Sequence, residues 1–198
     1  MQLIRFDDSN YDKKLAKTFS RNYLPNNKLK TAVEKIIDAV RGEGDESIRL
    51  LTKKFDGVDL NSKDFKLSKK EISNSSKSVS NEVKNAINLS YDNVNQFALG
   101  SMRKDWEMRN AQGAIIGESF QPFNSVGIYV PGGTAPLVST SLMTVAIAKA
   151  VKVPNITVCT PPDISGSVCP ELIYALNRCG ATSIYRIGGA QAIAAMSI

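Results

Sequence analysis

Histidine is absent from the 198 residues of this chain, and long apolar runs are missing too. Because imidazole is the usual base of Ser/His and Cys/His catalysis and a common zinc ligand, those sites are excluded from this stretch of polypeptide. No run reaches the roughly 18 to 20 apolar residues that span a bilayer, and Met1–Ser20 lacks the apolar centre of a signal peptide. We therefore expect a cytoplasmic protein that has no membrane partner.

Cysteine is scarce. The three cysteines are an odd number without CxxC spacing, so disulfide pairing and structural zinc binding are both disfavoured. All of them lie in the apolar second half of the sequence, at Cys159, Cys169 and Cys179. We predict that they are reduced thiols of the core.

Basic clusters are also missing, although the net charge is +6. Lysines occur as pairs, such as Lys13-Lys14 and Lys69-Lys70, and acidic residues alternate with them. No aromatic residues are interleaved with the lysines to form a platform for bases. The pattern is typical of a solvated surface and predicts no nucleic-acid partner.

The density of charged residues changes near Ser125. Residues 125–198 hold four basic and two acidic residues, whereas residues 1–124 hold the other 21 and 17. Six of the eight prolines lie in the second part. We place a domain boundary at this point, between a region 1–124 and a region 125–198.

Helical patterns dominate residues 1–124. Apolar residues at helical spacing begin at Leu29 and stop at Gly42, and Asp45 can cap a second helix that ends at Asp56-Gly57. After a polar segment rich in serine and lysine, Ser80 can cap a longer helix. We expect its apolar stripe to lie in the core, and this stripe consists of Val83, Ala86, Ile87, Tyr91, Val94, Phe97 and Ala98.

Strand patterns begin at Gly113–Phe120, which predicts an edge strand or the arm of a hairpin. Residues 125–198 then alternate between strand and helix, which predicts an α/β fold with a parallel sheet and right-handed crossovers. The predicted strands are Val126–Val130, Ile156–Cys159 and Ser183–Ile187. The predicted helices are one capped by Ser139 or Thr140 that runs to about Val151, one over Val168–Arg178 that Gly180 ends, and one that starts at Gly189.

The last helical pattern stops at Ile198 without the glycine, asparagine or basic last turn that normally closes a helix. We therefore expect the chain to be the front part of a longer protein, truncated at residue 198. We also expect packing partners for the apolar residues of this pattern, which are Ile193, Ala194, Ala195, Met196 and Ile198.

Two glycine-rich turns each follow a predicted strand and precede a predicted helix. They are Pro131-Gly132-Gly133-Thr134 and Gly188-Gly189-Ala190-Gln191. At the carboxyl end of a parallel strand, such a turn exposes backbone N–H groups and the positive end of a helix dipole. The turns therefore predict a ligand site, with candidate residues Tyr129, Gly132, Gly133, Gly188, Gly189 and Gln191.

Neither turn is the GxGxxG fingerprint of dinucleotide-binding domains. No acidic residue follows Gly133 by some 20 positions at a strand end to hold a ribose, so a standard Rossmann site is not supported. Tight strand-to-helix turns without a ligand remain an alternative for the glycines, and ordinary packing remains one for Tyr129 and Gln191.

The chain resembles the histidinol dehydrogenases in four stretches, which occur in the order and approximate spacing of that family. The resemblance runs from about Leu29 to the last residue. It departs from the family at Asn124-Ser125, where an arginine is often found. The matching stretches are Val40–Asp45 through Lys53–Gly57, Val126–Leu137, Thr160–Pro162 and Ile184–Ala195.

The resemblance implies an NAD-dependent enzyme that oxidises L-histidinol through the aldehyde to L-histidine, with zinc holding the substrate and a Glu-His pair supplying acid–base catalysis. It implies a homodimer with two incomplete Rossmann-like domains. Residues 1–124 would then be a helical region with part of the first α/β domain, and residues 125–198 an incomplete Rossmann-like NAD-binding domain. The NAD-contacting tyrosine and glutamine of the family fall on Tyr129 and Gln191.

The zinc ligands, the Glu-His pair and a further NAD-contacting asparagine of the family fall beyond residue 198, so no catalytic or metal residue is assigned in this chain. Three alternatives stay open. The protein could be a related dehydrogenase of another small alcohol, a catalytically inactive short product that acts as a binding module, or an unrelated sugar- or nucleotide-binding α/β domain.

Overall fold

The computed structural model describes residues 3–19, 27–132 and 137–198. Contacts divide the chain into two compact units, Met1–Lys35 and Ile36–Ile198. The first unit contains helix α1 (Tyr11–Phe19) and the start of helix α2 (Asn27–Glu43). The predicted boundary between residues 124 and 125 falls within the second unit and stays a prediction.

The second unit begins with the rest of α2, followed by helix α3 (Asp45–Asp56). Gly42 does not end α2 as predicted, because the helix continues to Glu43 and the chain turns at Gly44, which has a positive φ of 57°. The predicted stop of α3 is confirmed, since Gly57 adopts the left-handed conformation at its C-cap, with a φ of 75°.

The serine- and lysine-rich segment contains a 3-10 turn (Ser62–Asp64) and helix α4 (Lys69–Ser78), for which the sequence pattern predicted no element. Ser68 and Glu71 form a capping box at the start of α4, in which each side chain accepts a hydrogen bond from the backbone N–H of the other residue. This reciprocal pairing explains why so polar a segment begins a helix.

Helix α5 (Asn81–Ser101) starts where it was predicted to start. The hydroxyl of Ser80 accepts a hydrogen bond from the N–H of Val83 at 3.3 Å, which confirms the predicted cap. The predicted core stripe is only partly correct. Ile87 and Ala98 are buried, whereas the Phe97 side chain is 76% exposed, because the neighbouring helices contact only one side of α5.

A hairpin follows, with strand β1 (Trp106–Arg109) antiparallel to strand β2 (Ile115–Glu118). The hairpin-arm prediction for Gly113–Phe120 is therefore confirmed. All eight residues of the two strands are exposed.

A parallel sheet with strand order β3-β4-β5 forms the centre of the second unit. Its strands alternate with helices as predicted, which confirms the α/β fold class. The strands are β3 (Ser125–Tyr129), β4 (Asn155–Thr160) and β5 (Ser183–Arg186), and the helices are α6 (Val138–Ala150), α7 (Pro170–Cys179) and α8 (Gly189–Ser197).

One predicted helix cap is wrong. Helix α6 begins directly after Leu137 with no side-chain cap, so Ser139 and Thr140 lie inside its first turn. The predicted end of α7 is confirmed, because Gly180 adopts the left-handed conformation at its C-cap.

Beyond β5, the segment Phe65–Leu67 adds backbone hydrogen bonds to the outer edge of the sheet, including one of 2.9 Å from the Leu67 N–H to the Ile184 carbonyl.

Apolar side chains bury both faces of the sheet. One core includes Val145 on α6 and Leu172 and Leu176 on α7, packed against Ile156 and Val158 of β4. The other core packs α3 and α8 against the opposite face, and its buried residues are Val40, Ile48, Phe65, Cys159, Ile187, Ala192 and Ala194.

Packing of the last helix is only partly as expected. Ala194 is buried and Ala195 and Met196 are half-buried, whereas the side chains of Ile193 and Ile198 are 52% and 63% exposed.

The three cysteines are free thiols; Cys159 and Cys179 are buried and Cys169 is half-buried. No helix in the described ranges has the length and apolar character needed to cross a membrane.

Candidate functional site

The second glycine turn and the described start of the first, Pro131-Gly132, lie at the carboxyl edge of the parallel sheet. Strand β3 ends at Tyr129, just before the first turn, and strand β5 ends at Arg186, just before the second. Because all strands of a parallel sheet have their carboxyl ends at one edge, the fold brings Gly132 and the second turn to the same edge of the sheet.

Tyr129 connects the two turns directly. Its hydroxyl accepts a hydrogen bond of 3.2 Å from the N–H of Gly189, the first residue of α8. Gln191 reaches the same glycine, since a Cβ atom placed on Gly189 would lie 2.5 Å from the Oε1 atom of Gln191. The two side chains predicted as ligand contacts therefore meet at one backbone position.

Pro161, directly after β4, separates the two turns. A Cβ atom on Gly132 would lie 2.7 Å from the Pro161 Cγ atom, and one on Gly188 would lie 2.7 Å from its Cβ atom. Any larger residue at either position would clash with the ring. Gly189 requires glycine for a different reason, since its φ is +65°. The remaining candidate, Gly133, lies outside the described residues.

Gln191 is buried without compensation. Its side chain is 0% exposed, and neither amide atom has a hydrogen-bond partner in the described part of the chain. A buried polar group that lacks a partner costs about 1–3 kcal/mol, so such groups are uncommon away from functional sites. Three hydroxyls share this condition, on Thr52 of α3, on Ser141 of α6 and on Thr160 at the end of β4. The position of Gln191 in the first turn of α8 is typical of a residue that binds a polar ligand.

Asp56 is a site residue that the sequence analysis missed. It is the last residue of α3, and a Cβ atom on Gly188 would lie 2.8 Å from its Oδ1 and 3.0 Å from its Oδ2. Burial raises the pKa of the Asp56 carboxyl. The dinucleotide fingerprint places its acidic residue about 20 positions after the glycine turn, whereas Asp56 precedes both turns in the sequence. The available signal was an aspartate in the last helical position, where the helix dipole disfavours negative charge.

Cavities mark both ends of the sheet. A cavity of about 220 Å³ lies beside the first glycine turn, and Gly132, Thr160 and Pro161 are among the residues that line it. A larger one of about 520 Å³ is lined in part by Ser125 and Met196. Neither of these two cavities is lined by Tyr129 or Gln191. We place the candidate site at the turns, because the unpaired buried atoms of Gln191 and Asp56 lie against Gly189 and Gly188 there.

The described groups at the turns are suited to binding a ligand. Within the described ranges, no three His, Cys, Asp or Glu residues cluster to hold a metal ion. Burial raises the pKa of Cys159 and of Cys179 to about 12, so neither thiol ionises near neutral pH. Backbone N–H groups at the start of α8, a phenol and a buried amide suit a polar ligand that carries phosphate.

Comparison with known proteins gives one consistent family. The family described as histidinol dehydrogenase matches residues 19–198. The histidinol dehydrogenase of Symbiobacterium thermophilum is 35% identical over 169 residues, which cover 85% of this chain and 38% of that protein. The chloroplastic histidinol dehydrogenase of Arabidopsis thaliana is 37% identical over 165 residues, covering 83% of this chain and 34% of the relative.

A solved structure has the same fold. The crystal structure of histidinol dehydrogenase from Elizabethkingia anophelis superimposes with a TM-score of 0.81 at 36% sequence identity, over 85% of this chain and 39% of that chain. The present chain therefore spans about two fifths of the length of the relatives it matches.

Proposed function

Since the chain belongs to the histidinol dehydrogenase family, we propose that it supplies the NAD-binding part of an enzyme that oxidises L-histidinol through the aldehyde to L-histidine in histidine biosynthesis. The observation that carries this proposal is the hydrogen bond from the Gly189 N–H to the Tyr129 hydroxyl, beside the buried, unpaired amide of Gln191.

The residues of the two turns would hold the cofactor. Glycine at positions 132, 188 and 189 lets a ligand approach the backbone closely, and Gly133 is proposed with them from the sequence. The N–H groups at the start of α8 and its helix dipole favour a pyrophosphate. Tyr129 and Gln191 would provide hydrogen bonds to the neighbouring parts of the dinucleotide. When bound, NAD supplies the acceptor for hydride.

The reactive groups are proposed to lie in polypeptide other than these 198 residues. Oxidation of an alcohol needs a base for the hydroxyl proton, and the chain has no histidine to provide it. We therefore place the zinc ligands and the Glu-His pair of the family elsewhere in the protein. We further propose that the protein is a cytoplasmic homodimer, as the sequence analysis predicted.

A complementation assay tests the enzymatic proposal. The reading frame from Met1, with whatever coding sequence follows codon 198, would be expressed in a bacterium that lacks histidinol dehydrogenase. We expect growth without histidine, and we expect the purified protein to form NADH when L-histidinol is added. NADH formation with another small alcohol but not with L-histidinol would favour a related dehydrogenase. NADH binding without any turnover would favour a non-catalytic binding module.

A substitution tests the cofactor contact. Tyr129→Phe removes the hydroxyl that meets Gly189, and we expect about a tenfold loss of NADH affinity, the usual effect of one hydrogen bond. Tyr185→Phe is the matched control, because this tyrosine lies on β5 with its ring near Lys66. Equal NADH affinity in wild-type protein and Tyr129→Phe would argue against the contact.

A further inference from the structure

The loop that follows β4, Pro161–Ser167, forms one wall of the cavity beside the first glycine turn. This cavity of about 220 Å³ is lined by Gly132 and, on the side of the loop, by Pro161, Asp163 and Ser167. The Pro161 ring also lies against both Gly132 and Gly188. The position of the loop therefore sets how much space is left beside these two glycines.

Hydrogen bonds within the loop fix its internal shape. One carboxylate oxygen of Asp163 accepts hydrogen bonds from the backbone N–H groups of Ser165 and Ser167, at 2.8 and 3.0 Å. The Asp163 N–H donates to the Ser167 carbonyl at 2.8 Å, and the Gly166 N–H donates to the Asp163 carbonyl at 2.9 Å. Because these bonds are local, they shape the loop without attaching it to the sheet.

Arg186, the last residue of β5, attaches the loop to its surroundings. Its Nη1 atom donates a hydrogen bond of 3.1 Å to the Gly166 carbonyl. Its Nη2 atom forms an ion pair with Glu71 of α4. A planar guanidinium can donate to two partners in fixed directions, whereas a lysine offers a single nitrogen. The Arg186 side chain thus joins the end of β5, helix α4 and the loop.

The burial of this guanidinium favours a role in geometry over a role in stability. The Arg186 side chain is 13% exposed, and its Nε atom is buried without a hydrogen-bond partner in the described ranges. Removing charges from water offsets much of the attraction between them, so a buried ion pair adds little net stability. A rigid fork does hold its partners at fixed positions. We therefore expect the arrangement to serve the placement of the loop.

The loop and the glycine turns border the same cavity, where the cofactor would lie. Resting on the proposed function, we propose that Arg186 is a positioning residue for the dinucleotide. It holds Gly166, and through the loop Pro161, against Gly132 and Gly188, so that the cofactor meets a preformed wall. Without the guanidinium the loop moves, and ordering it again consumes part of the binding free energy.

Two measurements on the purified protein of the complementation assay test this proposal. They are NADH affinity, from nicotinamide fluorescence, and the labelling rate of Cys169, which lines the same cavity and is followed by mass spectrometry. Arg186→Gln removes the charge and the fork. Arg178→Gln is the matched control, because this arginine also has two hydrogen-bond partners, Asn88 and Asp92, between α5 and α7. Arg186→Lys keeps the charge, and urea unfolding measures the stability of each variant.

We expect Arg186→Gln to weaken NADH binding about tenfold and to speed the labelling of Cys169 at least about threefold, as the loss of a hydrogen bond from a charged group predicts. Arg186→Lys should show smaller changes in the same direction. Arg178→Gln should change neither measurement, even where it lowers stability.

Equal effects of Arg186→Gln and Arg178→Gln would show general destabilisation and overturn the proposal. Wild-type NADH affinity in a folded Arg186→Gln, or in Arg186→Lys if the glutamine variant does not fold, would overturn the role of Arg186 alone. Wild-type protein that binds no NADH would overturn the proposed function and this role together. The two failures are distinguishable, because the first requires that wild-type protein binds NADH.

Discussion

Arg186, the last residue of β5, forms an ion pair with Glu71 of α4. The same guanidinium donates a hydrogen bond of 3.1 Å to the Gly166 carbonyl, and the Glu71 carboxylate accepts hydrogen bonds of 2.7 Å from both the backbone N–H and the hydroxyl of Ser68. One carboxylate therefore completes the cap of α4 and also fixes the end of the strand that leads into the second glycine turn.

Replacing Glu71 with alanine is expected to lower the free energy of unfolding by about 2 kcal/mol, because it removes the cap and leaves the largely buried Arg186 without its carboxylate. Glu71→Gln keeps part of the cap and should cost less. Urea unfolding of the three proteins measures the differences. An alanine variant as stable as wild-type protein would show that the ion pair contributes nothing.

The contribution of Glu71 should depend on pH. Burial acts to raise the pKa of its carboxyl, but the hydrogen bonds from Ser68 and Arg186 outweigh burial and lower it below the usual 4.5. A lowered pKa in the folded state gives stability that is present above the unfolded pKa and is lost as the pH falls through the folded value. The stability gap between wild-type protein and Glu71→Gln should therefore narrow below about pH 4.5, measured by unfolding across that range. A constant gap would contradict the assignment.

Alanine at Gly188 or Gly189 should destabilise the protein by about 1–3 kcal/mol each, for two different reasons. At Gly188 the new Cβ atom would lie 2.7 Å from Pro161, and at Gly189 the φ of +65° is strained for any L side chain. The control is Gly100→Ala in α5, where a Cβ atom meets nothing within 4 Å. This control should raise stability by up to about 1 kcal/mol, because alanine favours helix. Thermal unfolding of the three variants gives the comparison, and equal effects at all three sites would refute it.

Asp56→Asn is expected to stabilise the ligand-free protein at neutral pH relative to wild-type protein. Burial raises the pKa of Asp56 above its usual 3.8, so the folded state holds its proton more tightly than the unfolded state does. Stability is then lost as the pH rises through the folded pKa, and the asparagine variant does not undergo this loss. Melting temperatures of both proteins between pH 3 and 8 would test the sign. A variant less stable than wild-type protein throughout would assign the carboxylate a structural role.

Thiol labelling should distinguish the three cysteines. Cys159 and Cys179 are buried, with pKa values raised to about 12. Partial burial and a hydrogen bond donated to Glu171 also raise the pKa of Cys169, but this thiol is only half-buried and therefore more accessible. An aromatic disulfide reagent at neutral pH should label Cys169 first and the other two only after unfolding. Cys169→Ser should remove the early phase. Rapid labelling of all three thiols in native protein would contradict the burial of the sheet and α7.

Local patterns in the sequence determined most of the helices and strands of this protein, with α4 as an exception. The alternation after Ser125, the stop of α3 at Gly57 and the cap of α5 by Ser80 each depend on residues within a few positions of one another. The same local signals located Tyr129 and Gln191 at strand and helix ends, and the family motifs supplied the hypothesis for their role. The predicted burial of Phe97 was wrong, because burial depends on which side of α5 the neighbouring helices contact.

Only the tertiary structure decided how the site is assembled. The Tyr129 hydroxyl meets the Gly189 N–H because β3 and β5 flank β4 in one parallel sheet, which no local pattern specifies. Asp56 reaches Gly188 because α3 and α8 pack on the same face of that sheet. Propensity and spacing act over one or two turns of chain, whereas contacts between distant residues are set by strand order and by the burial of apolar faces.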